Sequence, residues 1–102
     1  MPLTTKAEGK NMHLSDKMTI PVQVMARQIG EETVILDLAN GTYYGLDPVG
    51  ARIWQLMAEG QTLTQVCEVM LAEYDVTLED IERDVFALVQ SLIDRQLVSA
   101  GA

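Results

Sequence analysis

The stretch VILDLANGTYYGLDP, residues 34–48, contains the strand, turn and helix-start signals that decide the fold. Its first five residues are apolar or β-branched side chains around one acid, as in a β-strand, and residues 42–46 form a second such run. Asn40-Gly41 between them favours a type I′ turn, which needs a positive φ at both central positions. A two-residue turn there would place Leu38 opposite Tyr43 in an antiparallel hairpin.

A further strand is predicted upstream of this hairpin. Residues 20–29 alternate with a period of two, and Gly30-Glu31-Glu32 then supplies a turn. The three strands predict a small antiparallel sheet. Residues 42–46 form one of its edges unless the first strand pairs on that side.

Three helices are predicted after the strands. Asp47-Pro48 is a helix start, because Asp caps the first backbone N–H groups and Pro suits the first helical position. This helix ends near Gly60. The run from Thr62 to Gln65 has the spacing of a capping box and opens the second helix. Thr77 caps the third helix, which is predicted to continue to about Leu97. The predicted fold class is therefore α+β, a three-stranded antiparallel sheet followed by three helices.

The third helix has a wider apolar face than a small domain needs. Six side chains form one stripe at 100° per residue, and Phe86 and Ile93 widen it to roughly 160°, whereas about 100° is enough to cover a core. The excess indicates either packing against the core on two sides or contact with a partner. The stripe consists of Leu78, Ile81, Val85, Leu88, Val89 and Leu92.

Composition excludes several classes of protein. The 102 residues carry 15 acidic and 7 basic side chains, a net charge of -8. Nucleic acids and anionic membrane surfaces are therefore poor partners. One Cys and one His provide neither an internal disulfide nor an ordinary zinc site. We expect no signal peptide and no membrane span, and hence a cytoplasmic protein.

The charge is distributed unevenly along the chain. We predict a flexible N-terminal tail over residues 1–18, a folded domain over 19–99 and a C-terminal tail over 100–102. Of the seven basic side chains, three are lysines of the predicted N-terminal tail, and the other four are Arg27, Arg52, Arg83 and Arg95 of the folded part. The folded part alone therefore has a net charge of about -9, and any partner that it attracts electrostatically is expected to be basic.

No catalytic constellation is present in the sequence. His13 falls in the predicted tail. Cys67 falls in the middle of the second helix, where a small buried side chain is the ordinary interpretation, and no His lies in the folded region to activate it. The glycines do not form a phosphate-binding loop. We therefore expect no enzyme activity, no metal and no cofactor.

Two features together predict a peptide-binding module. An edge strand offers unpaired N–H and C=O groups to an extended peptide, which can then add to the sheet by β-augmentation. The broad face of the third helix can receive alternate side chains of that peptide. This hypothesis follows from the residues and does not identify the peptide.

Several segments also resemble the PqqD-like family. The resemblance is carried by VILDLANGTYYGLD (34–47), VGARIWQL (49–56), LAEYDV (71–76), ERDV (82–85) and a closing segment at 92–97. It covers about residues 20–99. The residues of the first two segments are most similar to those of the discrete leader-binding proteins of lasso-peptide clusters.

The resemblance implies a winged-helix-like fold and a non-catalytic function. Members of the family are recognition elements for ribosomally made, post-translationally modified peptides (RiPPs). A precursor's leader segment adds beside the third strand, lies against the third helix, and is presented to a leader peptidase, a radical-SAM enzyme or another tailoring enzyme.

Carried onto this chain, the resemblance implies a site shared by one strand and one helix. Asp84 matches the family's Asp-Val pair, although a structural role for it is equally open. The opposite edge of the third helix, Phe86 and Val89, is the competing choice. The implied peptide-binding residues are Thr42, Tyr43, Tyr44, Gly45 and Leu46 on the strand, and Asp84, Val85, Leu88 and Leu92 on the helix.

Two other interpretations remain at this point. A winged-helix transcription regulator also has three strands and three helices, but the third helix here is rich in acids where a recognition helix is basic. A structural subunit of a larger enzyme is the other alternative. We expect a monomer or a weak dimer formed through the edge strand.

Overall fold

The computed structural model describes residues 16–100. A three-stranded sheet is followed by three helices, and a short strand lies at each end of the described chain. In chain order the elements are β1 (Met18–Thr19), β2 (Val24–Ile29), β3 (Glu32–Asp37), β4 (Tyr43–Leu46), α1 (Pro48–Ala58), α2 (Leu63–Glu73), α3 (Leu78–Asp94) and β5 (Ser99–Ala100).

The main sheet is antiparallel with the order β2-β3-β4. Together with the three helices after it, this confirms the predicted α+β class. The first predicted strand begins later than expected, at Val24, because the Val24 N–H donates to the Pro21 carbonyl at 3.0 Å and turns the chain. Val22, which was part of the alternating run, is fully exposed in that turn.

The turn between β2 and β3 is shorter than the turn between β3 and β4. Ile29 pairs with Glu32, which leaves a two-residue loop, Gly30-Glu31. Gly30 has a φ of 64°, whereas Glu31 has no positive φ. A positive φ at the first central position alone is the pattern of a type II′ turn, and it favours Gly there.

The prediction of a type I′ turn at Asn40-Gly41 is wrong. Gly41 has a φ of 79° but Asn40 does not have a positive φ, so the requirement at both positions is not met. Tyr43 pairs with Leu36 rather than with Leu38. The loop is four residues long and is closed where the Asp37 N–H donates to the Thr42 carbonyl at 2.8 Å.

The side chain of Asp37 explains the longer loop. It is 3% exposed, and its Oδ1 accepts from the backbone N–H groups of Ala39 at 2.9 Å and Asn40 at 3.3 Å. The Asp37 carbonyl accepts from the Gly41 N–H at 2.9 Å. A short acidic side chain that bonds the backbone two residues ahead stabilises a turn of its own.

The predicted helix starts are confirmed. The Asp47 Oδ1 accepts from the Gly50 N–H at 2.7 Å, with Pro48 at the first helical position of α1. Thr62 and Gln65 form both hydrogen bonds of the capping box at the start of α2. At the start of α3, the side chain of Thr77 accepts from a backbone N–H of the first turn.

α1 ends as the sequence predicts, next to Gly60. Gly60 has a φ of 88°, its N–H donates to the Met57 carbonyl, and the Gln61 N–H donates to the Leu56 carbonyl. This pair of bonds is a Schellman motif, in which a glycine readily takes the left-handed position.

α3 ends at Asp94, three residues before the predicted end at Leu97. The same Schellman pair is present, because the Gln96 N–H donates to the Ile93 carbonyl and the Leu97 N–H to the Leu92 carbonyl, both at 2.9 Å. Gln96 therefore has a φ of 61°, in a position that usually holds Gly or Asn.

β1 and β5 pair with each other, antiparallel, and fasten the two ends of the described chain together. Met18 pairs with Ala100 and is 5% exposed. The Leu63 N–H at the start of α2 donates to the Asp16 carbonyl at 3.0 Å. The folded unit therefore includes Asp16.

The predicted tail boundaries fall inside these strands. The predicted tail over 1–18 includes residues that pair and pack, and the domain predicted over 19–99 is longer at both ends. The C-terminal tail predicted over 100–102 begins with a strand residue. Residues 1–15 and 101–102, and with them His13, lie outside the described residues.

The core lies between one face of the sheet and the three helices. Opposed residues of neighbouring strands share a face, so Tyr44 lies on the same face as the fully buried Ile35. Tyr43 lies on the other face and is 72% exposed. Within residues 16–100, every helix is too short or too polar to cross a bilayer.

Candidate functional site

The outer edge of β4 has free backbone groups. In an antiparallel pair, every second residue directs its N–H and C=O toward the partner strand. The Asp37 N–H bonds the Thr42 carbonyl, so the alternation turns the backbone groups of Tyr43 and Gly45 away from β3. No strand within residues 16–100 pairs with this edge.

A groove of about 520 Å³ runs along this edge, between β4, the first turns of α1 and one side of α3. Tyr44, Gly45 and Leu46 all line it. Since neighbouring side chains of a strand point to opposite faces, a groove that is lined by three consecutive residues follows the strand edge. We call it the β4 groove. A side chain at Gly45 would meet no atom within 4 Å, so the face of β4 is uncovered at this residue.

α3 contributes the other wall of the β4 groove. Its lining residues recur at helical spacing on one side of the helix. Those residues are Asp84, Ala87, Leu88 and Ser91. The competing edge of α3, Phe86 and Val89, does not line the groove.

The structure brings together only some of the site residues that the resemblance implied. Val85 and Leu92 are fully buried in the core, and thus have no surface to offer a peptide. They support the helix from behind. Thr42 and Tyr43 do not line the groove either, although the free backbone groups of Tyr43 belong to its edge.

The wide apolar arc of α3 is divided between two environments. Ile81, Val85, Val89 and Leu92 are buried, whereas Phe86, Leu88 and Ile93 are partly buried against the core and Leu78 is 50% exposed. Two-sided packing therefore accounts for most of the arc. Leu88 is the part of it that faces the β4 groove.

The sequence analysis missed Arg95, and it missed six residues that line the β4 groove: Asp47, Val49, Gly50, Ile53, Ala87 and Ser91. Arg95 lies over the ring of Tyr44, with its guanidinium carbon 4.8 Å from the ring centroid, and it donates to the Ser91 carbonyl at 3.1 Å. This cation–π contact fixes the half-buried ring at one end of the groove. The four-residue spacing of Ser91 and Arg95 could have predicted their contact on one face of α3. The contact of Arg95 with Tyr44 could not be predicted in this way, because the two residues are distant in sequence. Asp47 lines the groove as well as capping α1.

The charged lining residues of the β4 groove are both acidic. Asp47 is engaged with the Gly50 N–H. The Asp84 side chain is 59% exposed, and the only ion-pair partner within its reach among the described residues is the Arg83 guanidinium at 3.9 Å. The groove therefore favours a ligand with a basic side chain near Asp84.

The thiol in the described chain is unsuited to chemistry. Cys67 is 2% exposed in α2. Burial raises the pKa of its thiol above the ordinary value, and the nearby charges of Glu82 and Glu68 raise that pKa further. The nucleophile is the thiolate, so a raised pKa opposes reactivity. Within residues 16–100, no three His, Cys, Asp or Glu side chains are grouped closely enough to hold a metal ion.

The sequence of this fold matches a known family. The model of the family described as coenzyme PQQ synthesis protein D (PqqD) matches residues 32–98, which span the hairpin of β3 and β4, all three helices and the end of α3. The chain belongs to the PqqD family. This confirms the resemblance that the sequence analysis identified.

Two solved structures have the same fold. One, described as TbiB1 in complex with the TbiA(beta) leader peptide, is 38% identical and superposes with a TM-score of 0.73, covering 78% of this chain and 93% of that one. The other is described as lasso peptide synthetase B1 complexed with the leader peptide. It is 29% identical with a TM-score of 0.74, covering 80% of this chain and 96% of that one. No protein with a curated description matches the chain.

Proposed function

We propose that this PqqD-family protein binds the leader segment of a ribosomally made precursor peptide and presents it to a modifying enzyme or leader peptidase. The proposal is supported chiefly by one observation. A chain of the same fold, 38% identical over nearly its whole length, is a protein in complex with a leader peptide. Maturation of a lasso peptide is the process that the second neighbour favours, since it is described as a lasso peptide synthetase.

In the proposed complex, the leader adds to the sheet as a strand beside β4. The backbone groups of Tyr43 and Gly45 supply its main-chain hydrogen bonds, which set the register. Alternate side chains of the leader enter the β4 groove and contact Leu88 and the ring of Tyr44. A basic leader side chain pairs with Asp84.

The protein contributes binding and contributes no bond-making step in this proposal. The buried thiol of Cys67 suits a reducing compartment, and we propose the cytoplasm, where precursor peptides are made. The partners are the precursor leader and the leader peptidase, radical-SAM enzyme or other tailoring enzyme that acts on it.

The proposal is tested by placing a charge in the β4 groove. Leu88→Glu puts a carboxylate beside Asp84 in a half-buried apolar position, so we expect it to weaken leader binding by at least about tenfold, or about 1.4 kcal/mol. The measurement is fluorescence polarisation with the labelled leader of the cognate precursor. Circular dichroism shows whether the variant is folded.

Leu78→Glu is the matched control on the same helix. Leu78 is exposed in the first turn of α3, outside the β4 groove, where an acidic side chain suits the positive end of the helix dipole. Its affinity for the leader should equal that of the unmodified chain. If folded Leu88→Glu binds the leader as well as this control does, the assigned groove is wrong. Sub-micromolar binding of duplex DNA would favour the transcription-regulator alternative instead.

A further inference from the structure

A second groove lies on the opposite side of α1 from the β4 groove. It has a volume of about 610 Å³ and is bounded by β2, by the outer side of α1 and by Tyr74 just after α2. Ala26, Arg27 and Gln28 line it in succession, so it follows the edge of β2 in the same way that the β4 groove follows β4. We call it the β2 groove.

The edge of β2 also has free backbone groups. The Leu38 N–H donates to the Gln23 carbonyl at 2.9 Å, so Gln23 and every second residue after it face β3. The backbone N–H and C=O groups of Ala26 and Gln28 therefore point away from the sheet, into the region of the groove. In the part of the chain from 16 to 100, no strand covers this edge.

The two grooves differ in the sign of their charge. The charged lining residues of the β4 groove are Asp47 and Asp84, and none of its lining residues in the described chain is basic. The charged lining residues of the β2 groove are Arg27 and Arg52, and none of its lining residues in the described chain is acidic. The charged side chains that line the two grooves therefore differ in sign, although Arg95 lies over Tyr44 at one end of the β4 groove and Arg52 of the β2 groove pairs with Glu73.

Arg27 is the residue that is free to select a ligand. Arg52 is occupied, because its Nε and Nη2 donate to the two carboxylate oxygens of Glu73 at 2.9 and 2.6 Å. Arg83 pairs with Asp80, and Arg95 lies over a tyrosine ring. Among the residues that the structure describes, Arg27 is the one arginine whose side chain has no ion pair, hydrogen bond or ring contact.

An unengaged guanidinium is notable in a domain this acidic. Arginine binds carboxylates in two-pronged hydrogen bonds, and carboxylates of the same chain are abundant here. None of those in the described residues reaches Arg27. The β2 groove thus combines a cation, free strand-pairing groups and the partly exposed ring of Tyr74, which together fit an extended acidic peptide segment.

We propose that the β2 groove binds an extended acidic segment of the enzyme that processes the precursor. The segment adds as a strand beside β2 and places a carboxylate against Arg27. This inference rests on the proposed function, because a protein that presents a precursor must hold the enzyme at the same time. α1 separates the two grooves, so that both sheet edges can be occupied together.

The inference is tested with overlapping labelled peptides of about twelve residues, enough for one strand with flanks. They cover the leader peptidase or tailoring enzyme encoded with the precursor, and they are titrated against the full chain by fluorescence polarisation. We expect an acidic peptide to bind, and Arg27→Glu to weaken its binding by at least about tenfold. Gln28→Pro should have the same effect, because it removes an outward N–H from an edge strand.

Arg83→Glu is the matched control for charge. It makes the same change in net charge at an exposed position that lines neither groove. It should therefore leave binding of the acidic peptide within about twofold, because salt weakens the attraction between exposed charges that are not in contact. Equal weakening by Arg27→Glu and Arg83→Glu would overturn the inference. So would displacement of the acidic peptide by the leader, or occupation of the β2 groove by the precursor or by a second copy of this chain.

The same titrations separate this inference from the proposed function. The labelled leader is measured against the unmodified chain and against Arg27→Glu, and it should bind both equally. If the leader binds and every peptide of the enzyme fails to bind, the β2 groove inference alone is wrong. If the leader fails to bind the unmodified chain, the proposed function is wrong.

Discussion

At the scale of single residues, Asp37 has more influence on the hairpin than the Asn-Gly pair that marks it in the sequence. Its carboxylate is buried and holds two backbone N–H groups of the loop. The turn is therefore lengthened, and Tyr43 pairs with Leu36. That register determines which backbone groups of β4 point toward the β4 groove. Asp37 therefore shapes the groove although it does not line it.

Asp37→Ala should destabilise the domain. Removing the carboxylate takes away the acceptor of two part-buried backbone N–H groups, at an expected loss of about 1–3 kcal/mol in the free energy of unfolding for the two hydrogen bonds together. Urea unfolding followed by circular dichroism measures the change. Asn40→Ala removes an exposed hydrogen bond to the Thr42 N–H, and as the control it should cost less. Equal unfolding midpoints for Asp37→Ala and the unmodified chain would contradict this account.

At the scale of elements, the helix ends show which parts of the fold are readable from sequence. Asp47, Thr62 and Gln65 act through neighbours in the chain, so their types and spacing predicted α1 and α2 correctly. α1 and α3 end in the same Schellman motif. The glycine at position 60 predicts the end of α1. Gln96 is not a residue type that predicts a helix end, and so the predicted α3 was three residues too long.

The candidate site was predictable to a similar degree. Periodicity gave the apolar arc of α3, but it does not say where the sheet and the other helices cover that arc. Of the helix residues that were predicted, Asp84 and Leu88 line the β4 groove, whereas Val85 and Leu92 are buried in the core. The contact of Arg95 with the ring of Tyr44 depends on how two distant elements meet, which spacing along the chain cannot reveal.

The two tyrosines of β4 should respond differently to proline. The Tyr43 N–H points away from β3, so Tyr43→Pro should leave the domain folded and weaken leader binding by at least about tenfold, the effect of losing a hydrogen bond in the added strand. The Tyr44 N–H faces β3, so Tyr44→Pro should lower the stability of the domain itself.

Tyr43→Ala is the control for loss of the ring without loss of the N–H. Circular dichroism and polarisation titration with the labelled leader give the two readouts, structure and affinity. Strand addition at β4 is refuted if folded Tyr43→Pro binds the leader as tightly as Tyr43→Ala does.

At the scale of the whole molecule, the charged side chains are distributed unevenly over the surface. The described residues are strongly acidic, yet the two grooves along the two sheet edges are lined by opposite charges. A charge count alone predicted only a basic partner. The structure adds a local exception to that rule around Arg27.

The acidic β4 groove should make association with the leader depend on salt. Raising the ionic strength from about 0.05 to 0.5 M shortens the Debye length severalfold, so the association rate constant should fall while the dissociation rate constant changes little. Stopped-flow fluorescence measures both. Asp84→Asn should reduce the salt dependence of the association rate. An association rate that is independent of salt would show that charge does not steer the leader.

The pairing of β1 with β5 has a consequence for protein engineering. Met18 and Ala100 are direct neighbours, so the chain enters and leaves the domain at one point, and chain ends that lie close together favour domain insertion and circular permutation. The domain could be inserted into a surface loop of a host protein, or its ends joined by a short glycine linker and new ends opened elsewhere. Either product would keep both sheet edges accessible.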